Sequence, residues 1–261
     1  MFFSNIFKIW KKELKSYFYT PLAYVFIGTF SFVTGTMFLL FLRAYRAYEQ
    51  EVMMGRAESI TIDKFAEAFY GNMNMILLFI IPFFTMGLFT DELRKNTLVL
   101  LLTSPIRNWE IVLGKFCAAL SILFTMLLLT GVFPLFLSLY SQGGPANGPD
   151  PGVIFTTYLG LFLVGALYVS VGLFWSSIAT SSLIAVVLTF ANLFGFWLVS
   201  FAAQSSSGVM KTALSQVAVI EQFSALLSGS LELKTVVFFT SIIGLALYLT
   251  KRAVESYSWR A

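Results

Sequence analysis

The chain has 261 residues, of which 58% are hydrophobic and 11% are charged, and its net charge is +4. Soluble domains carry about 25% charged residues, so this composition indicates a protein whose solvent is largely lipid. The sequence contains no histidine, which excludes His-based catalytic triads and His metal sites. The single Cys117 excludes a disulfide within the chain, and no basic cluster suits nucleic acid.

Residues 1–20 predict an amphipathic helix that lies in the membrane interface. Apolar side chains recur at helical spacing, at Phe3, Phe7, Trp10 and Leu14. The lysines occupy other positions, namely Lys8, Lys11, Lys12 and Lys15. Such a helix directs its lysines to anionic head groups, and it serves either as a plain anchor or as a grip for a partner. The apolar run that follows exceeds a typical signal-peptide core and lacks a clear cleavage site, so we expect it to be retained.

Six uncharged apolar runs are long enough to predict membrane-spanning helices, which need about 20 residues. They cover residues 21–42, 72–89, 116–140, 153–175, 183–203 and 235–250. The polar cluster SSIATSS at 176–182 predicts a tight return between the fourth and fifth spans. The basic residues favour the side that holds both chain ends and residues 90–115, which predicts cytoplasmic termini. The expected fold class is therefore an all-α membrane protein with six transmembrane helices.

Residues 91–115, with the sequence DELRKNTLVLLLTSPIRNWEIVLGK, join the second and third spans and predict a cytoplasmic gate region. Asn96 and Thr97 break the second span, because Asn tolerates the left-handed conformation and Thr caps helices well. Residues 98–104 then form a short apolar helix that Pro105 ends. An apolar helix flanked by charged residues indicates a segment that a partner protein binds. The alternative is an interfacial re-entry that has no partner.

The sequence predicts no catalytic, cofactor-binding or metal-binding residue on this chain. The adjacent carboxylates Asp91 and Glu92 do not share a helix face, so we interpret them as the capped end of a span. Asn108 is expected to cap the next helix, with Glu110 in its first turn. No phosphate-binding loop motif occurs, and no ionisable residue lies inside a predicted span. Energy for transport is therefore expected to come from another chain.

The gate region carries a recognisable motif, E-x-R-x-x-T-L-x-L-L-L-T-x-P-I followed by W-x-I-V-L-G-K. The motif residues are Glu92, Arg94, Thr97, Leu98, Leu100, Leu101, Leu102, Thr103, Pro105, Ile106, Trp109, Ile111, Val112, Leu113, Gly114 and Lys115. This motif resembles the cytoplasmic gate of ABC type-2 transporter permeases, and is most similar to the GldF/NosY-like subgroup of gliding-motility and copper-enzyme-maturation systems. Residues 11–28, 43–71 and 219–239 resemble that family's interfacial helix, first external loop and last external segment.

The resemblance implies that residues 1–261 form one permease domain, which is not itself an enzyme. Two six-span subunits, identical or homologous, would pair in the inner membrane of a bacterial cell, each on a separate ABC ATPase that binds ATP and Mg. The implied ATPase-coupling residues are Glu92, Arg94, Thr97, Leu98, Leu100, Leu101, Leu102 and Pro105 in the gate, with Lys8, Trp10, Lys11, Lys12 and Lys15 in the interfacial helix. An external segment at 204–234 would offer Glu221, Gln222 and Phe223 for docking.

Four functions remain open from the sequence. The first is the membrane subunit of an ATP-driven ABC exporter. The second is a mechanotransmitter that passes ATP-driven motion to a periplasmic or surface partner without transporting a solute. The third is a channel or membrane scaffold that needs no ATPase. The fourth is an intramembrane enzyme, which the lack of histidine and of membrane-embedded carboxylates disfavours.

Overall fold

The computed structural model describes residues 2–56, 62–95, 106–140 and 150–258, and these residues form helices with no strand among them. In chain order the helices are α1 (Phe2–Tyr19), α2 (Leu22–Met53), α3 (Ile62–Thr85), α4 (Gly87–Arg94), α5 (Asn108–Thr130), α6 (Val132–Tyr140), α7 (Pro151–Ile178), α8 (Ser182–Ser205), α9 (Gly208–Val217), α10 (Val219–Leu227) and α11 (Leu233–Ser258). Six stretches are long and apolar enough to cross a membrane: α2, α3 with α4, α5 with α6, α7, α8 and α11. The six-span prediction is confirmed.

The spans are longer than the uncharged runs predicted, and the difference matters most at the third span. That span begins at Asn108 instead of residue 116, and α2 reaches Met53 instead of residue 42. With 32 residues, α2 is about 48 Å long, against a hydrocarbon thickness of about 30 Å. An uncharged run ends at the first charged residue, whereas a real helix continues through its charged ends. Glu110 and Lys115 therefore lie inside a helix.

The second and third spans each contain a break near a proline. Pro82 lies inside α3, which ends three residues later at Thr85 before α4 begins at Gly87. A proline has no N–H and crowds the preceding turn, which weakens the helix at that point. The third span breaks at Gly131, and Pro134 then falls in the first turn of α6, where a missing N–H is tolerated. Both spans thus consist of two stacked helical pieces.

Helix α7 is the centre of the bundle, because α3, α5, α8, α10 and α11 all pack against it. Small residues allow this close approach. A Cβ atom added at Gly165 would lie 2.6 Å from Leu123 Cδ2, and one at Gly172 would clash with Thr85. Glycine at these points lets the side chains of neighbouring helices pack directly on the backbone of α7, as is common in membrane proteins.

Helices α2 and α8 lie at the outside of the bundle. Only 17% of the apolar span in each is buried within the chain, compared with 61% of the span formed by α3 and α4. These two helices therefore leave most of their apolar surface for lipid or for another protein.

Candidate coupling site

Helix α1 is fastened along the first half of α5 rather than standing free of the spans. The Asn5 amide Nδ2 donates to Glu110 Oε2 at 3.1 Å, and Trp10 Nε1 donates to Ser121 Oγ at 2.9 Å. Between them Ile9 covers Gly114, where an added Cβ would lie 2.7 Å from Ile9 Cγ2. Three contacts thus fix the position of α1 on the third span.

Glu110 organises the start of α5. Its side chain is buried, and its Oε2 atom accepts a second hydrogen bond from the Arg107 backbone N–H at 3.1 Å. Arg107 is the N-cap, with an extended backbone, and Asn108 is the first helical residue. The predicted cap at Asn108 is therefore displaced by one residue, because a carboxylate from within the first turn satisfies the orphan N–H group.

Lys115 is the central group of the site, and its side chain is only 2% exposed. Its ammonium Nζ lies 3.1 Å from Glu13 Oε1 on α1 and 2.9 Å from Glu92 Oε1 on α4. It also donates to the Leu88 carbonyl oxygen at 2.7 Å and lies 5.2 Å from the centre of the Phe89 ring. These contacts use all three donors of the ammonium group. A single buried cation thus joins three helices, α1, α4 and α5.

The energetic weight of this cluster follows from burial. A charge removed from water is tolerated only when it is paired and hydrogen-bonded. Removing one partner of a buried pair costs about 3–5 kcal/mol, because the remaining charge is left uncompensated. Movement of α1 or α4 away from Lys115 meets the same penalty, so the three helices are expected to move together at this point.

A polar cavity of about 490 Å³ adjoins the Lys115 cluster, with Lys12, Asp91 and Lys95 among its lining residues. Tyr17 also lines it and donates its hydroxyl to the Phe84 carbonyl oxygen at 3.2 Å. Burial, followed by the negative charges of Glu13 and Asp91, raises the pKa of Tyr17. The phenol therefore stays protonated and remains a hydrogen-bond donor that ties α1 to the second span.

Ser176 near the end of α7 ties the break in the second span to the core. Its hydroxyl donates to the Met86 carbonyl oxygen at 2.9 Å and accepts from the Phe89 N–H at 3.0 Å. Both partners are backbone groups at the break between α3 and α4, where the Met86 carbonyl oxygen also accepts from the Thr90 hydroxyl. The tight return predicted at 176–182 is present, since α7 ends at Ile178 and α8 begins at Ser182.

The predicted coupling residues fall into three groups. Glu92 belongs to the Lys115 cluster, and Arg94 is exposed at the end of α4. On α1, Lys8, Lys11, Lys12 and Lys15 are exposed, whereas Trp10 is half-buried against α5. The gate residues Thr97, Leu98, Leu100, Leu101, Leu102 and Pro105 lie outside the described residues.

The predicted external docking residues are placed differently from expectation. Gln222 and Phe223 on α10 are buried, at 7% and 1% exposure. Gln222 Nε2 donates to the Ser215 carbonyl oxygen at 3.4 Å, and Thr235 Oγ1 donates to Gln222 Oε1 at 3.3 Å. Both side chains therefore pack α10 against the rest of the chain. Phe223 does so as a large buried apolar group, and Gln222 does so by hydrogen bonding to two neighbouring segments. Of the three, Glu221 is the one that is partly exposed.

Sequence reasoning missed the roles of Glu13, Glu110 and Lys115. It placed Glu110 in the first turn of a helix capped by Asn108 and Lys115 immediately before the third apolar run, and it assigned a partner to neither. The available signal was the apolar context on both sides of Lys115, in WEIVLGKFCAALS. A charged residue in such a run is expected to face a partner within the bundle.

Comparison with known proteins supports one family. Residues 8–255 match the family model described as ABC-2 family transporter protein, so the match includes most of α1, the first five spans, nearly all of the sixth span and the gate region. A comparison with curated protein sequences found no match. Because the family match spans nearly the whole sequence, the chain belongs to the ABC-2 family of transporter proteins and is a multi-pass membrane permease subunit of an ABC transporter.

Proposed function

We propose that this chain couples ATP hydrolysis on a separate ABC ATPase to movement of its own spans, and that it works as an exporter. The observation that carries the proposal is the Lys115 cluster. Glu13 comes from the helix predicted to touch the ATPase. Glu92 lies near the start of the predicted gate region at 91–115, shortly before its predicted short helix at 98–104, the gate segment. Both acids bind one lysine on the third span. A push on either element therefore acts on the same buried cation.

The cluster suits mechanical coupling because its parts are short and stiff. Helix α4 has eight residues and lies between the break at Met86 and the gate segment. A short helix that turns about such a break behaves as a lever, and the ion pairs give it a fixed attachment to α5. In this mechanism no residue of the chain performs covalent chemistry, and ATP and Mg bind to the partner ATPase.

We further propose that both termini are cytoplasmic in a bacterial inner membrane and that a second permease subunit, identical or homologous, packs against this one. The small buried fraction of α2 and α8 supports the pairing of two permease subunits, because it leaves apolar surface for a second subunit to cover. Helix α8 presents stacked rings of Phe190, Phe194, Trp197 and Phe201, with centroids 5.5–6.1 Å apart. An apolar path between two such subunits would suit a lipid-like or amphipathic substrate.

The experiment that tests ATPase coupling is co-purification of the tagged chain from its native cells in mild detergent. We expect a stoichiometric ATPase with a phosphate-binding loop, and we expect Leu101→Asp to reduce its recovery without reducing membrane insertion. Leu101→Met is the matched control, because it keeps an apolar side chain of similar volume. Full recovery of the ATPase with Leu101→Asp would contradict the role of the gate segment.

A second candidate function is mechanotransmission to a periplasmic or surface partner. The observation that favours it is the length of α2, which continues through Arg43, Arg46, Glu49 and Glu51 to Met53 beyond its apolar part. At about 1.5 Å per residue this charged end would extend past the hydrocarbon layer, where it would meet an external protein. ATPase activity that depends on an external protein, with no transported solute, would select this function. Stimulation by a small amphipathic molecule would select the exporter.

A further inference from the structure

A groove of about 510 Å³ lies where α1 turns into α2, on a different face of α1 from the Lys115 cluster. Its walls are aromatic. Phe7 packs on Trp10 with ring centroids 5.1 Å apart, and Phe18 meets Tyr24 edge to face at 5.9 Å. Phe7 is 56% exposed and Tyr24 is 61% exposed, so the groove is open to its surroundings.

The charge of this groove is of one sign. Lys11 and Lys15 line it, one helical turn apart on α1, and no acidic residue is among its described lining residues. Within the described part of the chain, neither lysine forms an ion pair with an acid. By contrast Lys12, on the other face of α1, lines the polar cavity that also contains Glu13 and Asp91. The groove therefore offers two uncompensated cations beside an apolar trough.

From this complementarity we infer that the groove binds one anionic phospholipid of the adjoining leaflet. The phosphate lies between Lys11 and Lys15, and a hydrocarbon chain lies along Phe7, Trp10, Phe18 and Tyr24. Lysine heads reach the interface while their stems cover apolar surface, which suits the junction between head group and tail. This is a discrete site in a corner of the fold, distinct from a general attraction of α1 to a charged membrane surface.

The site also has a consequence for coupling, which rests on the proposed function. Trp10 forms one wall of the groove and is hydrogen-bonded to Ser121 on α5, and Glu13, three residues later on the adjoining face of α1, pairs with Lys115 on the same helix. A lipid held in the groove therefore presses α1 onto α5 and keeps Glu13 beside Lys115. Anionic lipid would act as a positive regulator of coupling, and neutral lipid would not replace it.

The test is native mass spectrometry of the purified full chain in mild detergent, titrated with phosphatidylglycerol or with phosphatidylcholine. We expect one saturable phosphatidylglycerol that phosphatidylcholine does not displace. The variant Lys11→Ala with Lys15→Ala is expected to bind phosphatidylglycerol about thirtyfold more weakly at low salt. The matched control is Lys8→Ala with Lys12→Ala, which removes the same charge at the same helical spacing from outside the groove, and it is expected to keep the bound lipid.

Three outcomes would overturn the inference. Equal loss of lipid in the two double variants would show general surface attraction, and no loss in either would show that the groove is not the site. Full competition by glycerol 3-phosphate, which has no hydrocarbon chain, would show a plain anion site. Since all four lysines are exposed, neither variant is expected to unfold, and thermal unfolding checks this. The measurement uses no ATPase, so its failure is separate from failure of ATPase co-purification.

Discussion

At the side of the bundle that carries α1, a buried charge cluster joins the helices in addition to neutral hydrogen bonds, whereas at the opposite side Tyr158 and Thr235 join them through neutral hydrogen bonds. Lys115 binds Glu13 and Glu92 at the first side. At the second side Tyr158 donates its hydroxyl to the Thr130 carbonyl oxygen at 2.7 Å, and Thr235 donates to Gln222 at 3.3 Å.

The difference bears on which side can be moved by a partner. A neutral hydrogen bond contributes about 0.5–1.5 kcal/mol, so its loss is small and local. A buried ion pair resists separation more strongly and at longer range, and it therefore carries a displacement from one helix to the next. We accordingly expect substitutions at the charged side to affect stability and coupling together, and substitutions at the neutral side to affect stability alone.

The largest effect is expected from Lys115→Met, which keeps the apolar stem and removes the ammonium group. Glu13 and Glu92 then lose their shared cation, and the predicted loss of stability is about 3–5 kcal/mol. Thermal unfolding in detergent measures the loss, and ATPase activity of the assembled transporter measures coupling. The control is Lys251→Met, because Lys251 also pairs with an acid, Glu255 at 2.8 Å, but is 20% exposed.

The same cluster offers a sharper version of this prediction. Combining Lys115→Met with Glu13→Gln and Glu92→Gln removes the uncompensated carboxylates as well as the cation. Stability should recover in part, because a neutral replacement of a buried ion cluster is often tolerated. ATPase coupling should stay low. Recovery of coupling in the triple variant would show that packing, rather than charge, joins the two elements.

A smaller effect is expected from Gly114→Ala at the contact between α1 and α5. The new methyl group would lie 2.7 Å from Ile9 Cγ2, so α1 must shift, at a cost of about 1–3 kcal/mol. Gly28→Ala is the matched control, since nothing lies within 4 Å of its added Cβ and alanine favours the helix. Thermal unfolding of both variants makes the comparison. Equal stability of the two would contradict the close seating of α1.

The smallest effect is expected from Tyr158→Phe at the neutral side. Loss of the hydroxyl removes one hydrogen bond to Thr130 and should cost about 1 kcal/mol, with ATPase coupling unchanged. Tyr19→Phe is the control for the stability measurement alone, since Tyr19 is 85% exposed. Unfolding and ATPase measurements on the same preparations check both parts. A loss of coupling in Tyr158→Phe that exceeds its loss of stability would remove the distinction between the two sides.

Local sequence patterns determined the large-scale architecture of this protein. The number of spans follows from the lengths of the apolar runs, since each must match the bilayer thickness. The N-terminal helix follows from apolar residues at helical spacing, and the return at 176–182 follows from a polar cluster between two apolar runs. The gate motif, which includes Glu92, Pro105 and Trp109, predicted the family that the family model then matched.

Tertiary structure alone decided how these parts are connected. Lys115 and Glu13 are 102 positions apart, and no local pattern assigns one to the other. In sequence Lys115 is a charge at the edge of a span, and Gln222 and Phe223 are surface candidates. Packing buries all three. Spans and turns depend on each residue's own preference and its near neighbours, whereas pairing of a buried charge depends on which distant helix the fold places within about 3 Å of it.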